Sequence, residues 1–113
     1  MTRDPRLYLH DILDSIQKIQ RYTSNMSFQE FTESSLTIDA VVRNFEIIGE
    51  ASGRITDDIL YKYPEIPWYE MKGMRNIVAH EYFRVDLKII WKTSRESLNI
   101  VAEMIRRLLK DLE

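Results

Sequence analysis

Apolar side chains recur at steps of three and four along most of the chain, the spacing that places them on one face of a helix. Leu9, Ile12, Ile16 and Ile19 form the first such stripe. Asp4-Pro5 precedes it, an N-cap followed by the residue favoured at the first helical position, so a helix is predicted over about 5–23. Ser27-Phe28-Gln29-Glu30 has the form of a capping box and predicts a short second helix. From about residue 36, Ile38, Val41, Phe45, Ile48, Ser52, Ile55 and Ile59 keep one period until Pro64, which predicts one long central helix. Pro67 opens another, with Trp68, Met71, Arg75 and Val78 on one seam, where Arg75 is the exception among apolar residues. Asp86 then caps a last helix in which Leu87, Trp91, Ser94, Leu98, Val101, Ile105, Leu108 and Leu112 recur about every 3.5 residues. Arg106, Arg107 and Lys110 suit the negative end of its dipole.

These segments place roughly four-fifths of the residues in helix, far above the usual third. Three glycines and three prolines are too few for the many turns of an all-β sandwich or barrel. The predicted fold is all-α: an antiparallel helical bundle of four main helices plus a short one, as a single domain over residues 1–113. The connection at 24–35 is the only irregular stretch of any length. Gly49 and Gly53 fall inside the central stripe, where each costs about 1 kcal/mol relative to alanine. Close approach of a neighbouring helix is the expected compensation.

Composition narrows the function classes. With no cysteine, neither a disulfide framework, a thiolate metal site nor a cysteine nucleophile is available. Sixteen Lys and Arg against eighteen Asp and Glu give a net charge of −2, so indiscriminate nucleic-acid binding is not expected and a polyanion must be met by a local patch. No window has the apolar length of a membrane span and the first residues are charged, so a cytoplasmic location is the expectation. Glycine-rich phosphate loops, a nucleophile elbow and a His-Glu-x-x-His pair are all absent. His10 and Asp14 have the spacing of one metal edge, but residues of a solvated helix face share it, and no metal or cofactor is predicted. Glu46 and Glu50 suit acid–base work or, with Arg43 and Arg54 close by, simple charge balance.

Chemistry concentrates in Met74-Arg75-Asn76-Ile77-Val78-Ala79-His80-Glu81-Tyr82-Phe83. Asn76 and His80 are four residues apart with Gly73 before them on the same face, so an amide can orient an imidazole beside a position with no side chain. Arg75 lies five residues before His80, about 140° around the helix and about 7.5 Å along it. The two could flank one cleft if two copies of this helix faced each other across a two-fold axis. Arginine offers a permanent forked charge to phosphate oxygens, and histidine exchanges a proton near neutral pH. If the substrate is RNA, its own 2′-hydroxyl can serve as nucleophile, with His80 moving the proton and Arg75 stabilising the phosphorane. Arg75 and His80 could instead be packing or capping groups, as such residues commonly are.

Arg75, four residues, His80, one residue and Tyr82, with Asn76 directly after the arginine, resembles the signature of the HepT-like toxins, a prokaryotic branch of the HEPN superfamily. Asp39 through Ala51, with Arg43, Asn44, Glu46, Gly49 and Glu50, looks like that family's central helix, and Val85-Asp86 with Trp91 like the start of its last one. The resemblance covers nearly the whole chain. It implies a HEPN-like homodimer acting as a metal-independent endoribonuclease, the toxin of a toxin–antitoxin pair. Arg75 and His80 would be catalytic and Asn76 supporting. A minimal nucleotidyltransferase antitoxin would be the partner and would adenylylate Tyr82, setting bulk and negative charge where an RNA phosphate must dock. Arg43 and Asn44 could extend the RNA cleft from the central helix, or Arg43 could pair with Asp39 and Glu46 on a solvated face. Single-stranded or loop RNA is the expected substrate. The competing expectation is a non-catalytic helical dimer that binds a nucleotidyltransferase or a nucleotide.

Overall fold

The computed structural model describes residues 3–81 and 86–113, the side chains of 77–81 excepted. Helix α1 (Pro5–Thr23) starts where the Asp4 carboxylate accepts the Arg6 amide, with Pro5 at the first helical position. Its stripe of Leu9, Ile12, Ile16 and Ile19 is fully buried. At α2 (Phe28–Thr32) both halves of the capping box form, the Glu30 amide donating to Ser27 Oγ at 3.1 Å and the Ser27 amide to Glu30 Oε1 at 2.9 Å. Helix α3 (Ser35–Ser52) is capped by Ser34.

The predicted single central helix is in fact two. α3 stops at Ser52, where the Gly53 amide turns back to the carbonyls of Gly49 and Ala51, and a separate α4 (Asp57–Lys62) follows Thr56. Asp57 and Asp58 favour a new helical start because acids in the first turn complement the dipole. Ile55 and Ile59 stay buried across the break. Their burial explains why the apolar period ran through it without a gap.

Helix α5 (Trp68–Glu81) follows, with Trp68 Nε1 donating to the Tyr63 carbonyl at 3.0 Å. The predicted regular last helix is also interrupted. α6 (Leu87–Lys92), capped by Asp86, passes through a π-helical turn at Thr93–Ser97 into α7 (Leu98–Leu112). At that turn Ser94 is fully buried, and Arg95 Nη1 donates to the Gln20 carbonyl at 3.3 Å and to Thr23 Oγ1 at 3.2 Å. A basic side chain thus satisfies the carbonyl end of α1.

Helix α3 is the hub, packed on both α1 and α5, while α1 also packs on α7 and on the π turn. Phe31 against Trp91, ring centroids 5.2 Å apart, ties α2 to α6. Among the described residues every regular element is helical, as the all-α expectation required, and no helix is long and apolar enough to cross a membrane.

Candidate functional site on helix α5

The site begins with a close approach. A Cβ added at Gly49 would lie 2.6 Å from the Arg75 amide nitrogen and 2.7 Å from its Cβ, so only glycine admits α5 this near to α3. Gly53 has no such neighbour: a Cβ there would make ordinary contacts of 3.5 Å or more, the Lys72 Cε at 3.6 Å among them. The close approach expected of both glycines is therefore made by Gly49 alone, and Gly53 ends the helix.

Arg75 is consequently held close to α3 by its backbone while its tip extends outward. Its side chain is 45% exposed and Nη1 stands 3.4 Å from Glu50 Oε1, itself half-exposed. Of the two roles its place on the apolar seam left open, packing and a cleft, the exposed tip fits the second. Its Cα faces the seam while the long side chain leaves it. Asn76 is exposed and Gly73 half-buried, and with Tyr69, Glu70, Lys72 and Arg75 they border an open cavity of about 460 Å³.

Glu50 also borders a second hollow of about 210 Å³, between α1 and α3, lined by Tyr8, Asp11, Arg43, Ile47, Ala51 and Arg54. Arg43 therefore adjoins the Arg75 region, although its Nη1 already faces Glu46 Oε1 at 3.4 Å. Asn44 does not adjoin it. Only 6% exposed, it donates from Nδ2 to the Ala40 carbonyl at 2.9 Å, and its Oδ1 has no partner among the described residues. One residue is 100° of helical turn, enough to send Arg43 outward and Asn44 inward. In this chain Asn44 therefore lies outside both hollows.

Glu46 and Glu50 each face an arginine at 3.4 Å, Arg43 and Arg75, which fits the charge-balance reading of the two. Asp14 is engaged by Lys18 at 3.2 Å, and among the described residues no three metal-ligating side chains gather in one place. His80 lies on α5 by its backbone, but its side chain falls outside the described residues, as does Tyr82. Two neighbours of the site were missed in the sequence, Tyr69 and Lys72. Tyr69 and Lys72 carried a signal, lying four and three residues before Gly73 and Arg75 on the same helix.

Comparison with known proteins fits this arrangement. A family model described as Ribonuclease HepT-like matches residues 12–108, which takes in α3 and α5 whole. The Methanocaldococcus jannaschii protein named "Putative RNase MJ1216" is 39% identical over 111 residues, 98% of this chain and 92% of its own length. The Thermococcus cleftensis protein named "Probable ribonuclease HepT" is 40% identical over 110 residues, 97% of this chain and 100% of its own. A Caldanaerobacter subterraneus protein named "Putative RNase TTE0752" is 32% identical over 108 residues, 96% of each chain. No solved structure matches the chain.

Proposed function

The chain belongs to the HepT-like ribonuclease family, and from that premise we propose that it is an endoribonuclease toxin whose reaction is carried by Arg75 and His80 on α5. The observation that carries this is the outward guanidinium of Arg75. Its backbone is fixed against Gly49, its tip lies 3.4 Å from Glu50 among the described residues, and it stands on the same helix as His80.

In the proposed reaction the 2′-oxygen attacks the adjacent phosphorus and the bond to the 5′-oxygen breaks, leaving a cyclic phosphate and a free 5′-hydroxyl. A neutral His80 takes the proton from the 2′-hydroxyl, and an imidazolium returns one to the leaving 5′-oxygen. Arg75 offsets charge on the five-coordinate phosphorus. No step calls for a metal ion. Arg75 and His80 lie about 140° apart around one helix, so two copies of α5 facing across a two-fold axis would surround one phosphate better than one copy alone. Asn76, exposed beside them, supports the histidine or the substrate, and Arg43 extends the path for RNA toward α1. A nucleotidyltransferase antitoxin that attaches AMP to Tyr82 would place bulk and negative charge at this phosphate site and silence it.

The deciding experiment offers a mixed RNA pool and a matched DNA pool, in EDTA, to wild type and to His80→Ala. Cleavage of RNA alone, by wild type alone, is the expected result, since DNA lacks the nucleophile. Equal cleavage by His80→Ala would refute the assignment. If neither protein cuts, with the absence of modification established by mass, a non-catalytic binding dimer takes precedence. For Tyr82, incubation with the transferase and ATP should add AMP units to wild type and none to Tyr82→Phe.

A further inference from the structure

Two of the three glycines are accounted for by the fold. Gly49 admits α5, and Gly53 ends α3. Gly73 does neither: it sits within α5, its φ is not positive, and among the described residues a Cβ built on it would meet nothing within 4 Å. Glycine inside a helix weakens it relative to alanine, and no contact within the described chain offsets that loss. The bare position leaves room for a group that the described residues do not supply.

The surroundings say what kind of group that is. Tyr69, one turn earlier on the same face, is 86% exposed and borders the cavity, so its ring face is open to a ligand. Lys72 and Arg75 supply two cations, against Glu70 in the lining and Glu50 at 3.4 Å from Arg75, and Asn76 supplies an amide one turn beyond Gly73. The cavity, about 460 Å³, falls within the roughly 300–1,000 Å³ of small-ligand sites. An exposed aromatic face, two cations and an amide around a bare stretch of helix match a nucleotide part for part. An apolar peptide would leave both cations unused.

We propose that the trough over Gly73 is a nucleotide subsite for single-stranded RNA. One base lies over Gly73 and stacks on the Tyr69 ring, Lys72 and Arg75 meet phosphates on either side, and Asn76 bonds to the base or sugar. Tyr69 and Arg75 are six residues apart, about 9 Å along the helix and about 120° around it, yet both border the trough, so the long Arg75 side chain can meet the phosphate next to a base stacked on Tyr69. Duplex RNA hides its base faces, which selects for single strands. Tyr69 is on this account a specificity residue that never touches the reacting atoms. The proposal rests on the ribonuclease assignment above and deepens it.

The test is binding, which is independent of cleavage. A labelled 2′-O-methyl oligoribonucleotide, which cannot be cut, is titrated by anisotropy as a single strand and as a duplex into wild type, Tyr69→Phe, Tyr69→Ala and Gly73→Ala. Wild type should prefer the single strand. Tyr69→Ala should weaken single-strand binding about tenfold while Tyr69→Phe stays near wild type, because the ring and not the hydroxyl makes the stack. Gly73→Ala should bind more weakly and yet melt at a higher temperature, a pairing of results that a merely structural role does not produce. Wild-type affinity in both Tyr69→Ala and Gly73→Ala, or no binding by wild type, would overturn the subsite. A change of oligomeric state in Gly73→Ala, seen by sedimentation, would overturn it too, assigning the trough to a contact between copies. Tyr69-dependent binding without any cleavage would leave the subsite standing and remove the ribonuclease assignment.

Discussion

At Gly49 one added carbon would land 2.6 Å from the Arg75 amide nitrogen, whereas at Gly73 the same carbon would meet no described atom within 4 Å. The two glycines lie on the two helices that meet at Arg75, one on its closed side and one on its open side. On the closed side the missing Cβ sets how near α3 and α5 come, and hence where the Arg75 backbone is held. On the open side the missing Cβ contributes nothing to the fold and leaves room beside the guanidinium. A residue that looks alike in the sequence thus serves packing in one place and access in the other. What separates them is whether another helix lies against it.

The largest effect is expected at the closed side. Gly49→Val should lower stability by about 1–3 kcal/mol, because the added atoms collide with α5 backbone, which cannot yield as a flexible side chain would. Cleavage should fall with it, since Arg75 must move; an unfolding midpoint in urea equal to wild type would show that the seam is looser than described. Gly73→Ala should shift stability the other way, by up to about 1 kcal/mol in favour of folding, since alanine is the better helix former and the space is open. A loss of stability there would break the contrast outright. Glu50→Gln comes third. The pair with Arg75 is long and half-exposed, so the cost to stability should stay below about 0.5 kcal/mol. Removing the acid should tighten binding of an RNA strand about two- to threefold at low salt and less at high salt, as a Coulombic effect requires.

The smallest effect lies away from both glycines and serves as their control. Hydrogen bonds from the Arg6 side chain and amide hold the exposed Asp4 carboxyl below its ordinary value of 3.8. A folded value lower than the unfolded one means stability that is complete above the unfolded value and is lost as pH falls through the folded one. Asp4→Asn, which keeps a capping side chain and removes the charge, should melt slightly below wild type at neutral pH and converge with it below about pH 3.8. Neither glycine substitution should alter this convergence, since distant sites act independently.

Much of the fold could be read from local pattern. The caps at Asp4, Ser27 and Asp86 all form, because a cap needs only residues within one turn of each other. The break at Gly53 was hidden since Ile55 and Ile59 stay in phase with the core, although Thr56-Asp57-Asp58 held the start signal of a new helix. The π turn at Thr93–Ser97 had no local signature. Arg95 gripping the end of α1 joins residues more than seventy positions apart, a contact that no periodicity encodes. At the site, the position of Arg75 on α5 was legible and its exposure was not. Its place on an apolar seam left both a packing role and a cleft role open, and only the contact with Gly49 shows that the backbone lies against α3 while the guanidinium extends outward.

The sequence by itself determined where most of the chain is helical, the caps at Asp4, Ser27 and Asp86, the all-α class and the order of Arg75, Asn76, His80 and Tyr82, since each depends on neighbours within a few residues. Tertiary structure decided which glycine touches a helix and which opens to the outside, that Arg43 faces outward and Asn44 inward, and that Glu50 stands beside Arg75. Those outcomes depend on which segments, far apart in the chain, lie against each other, and burying the core of α1, α3 and α5 together is what makes that choice.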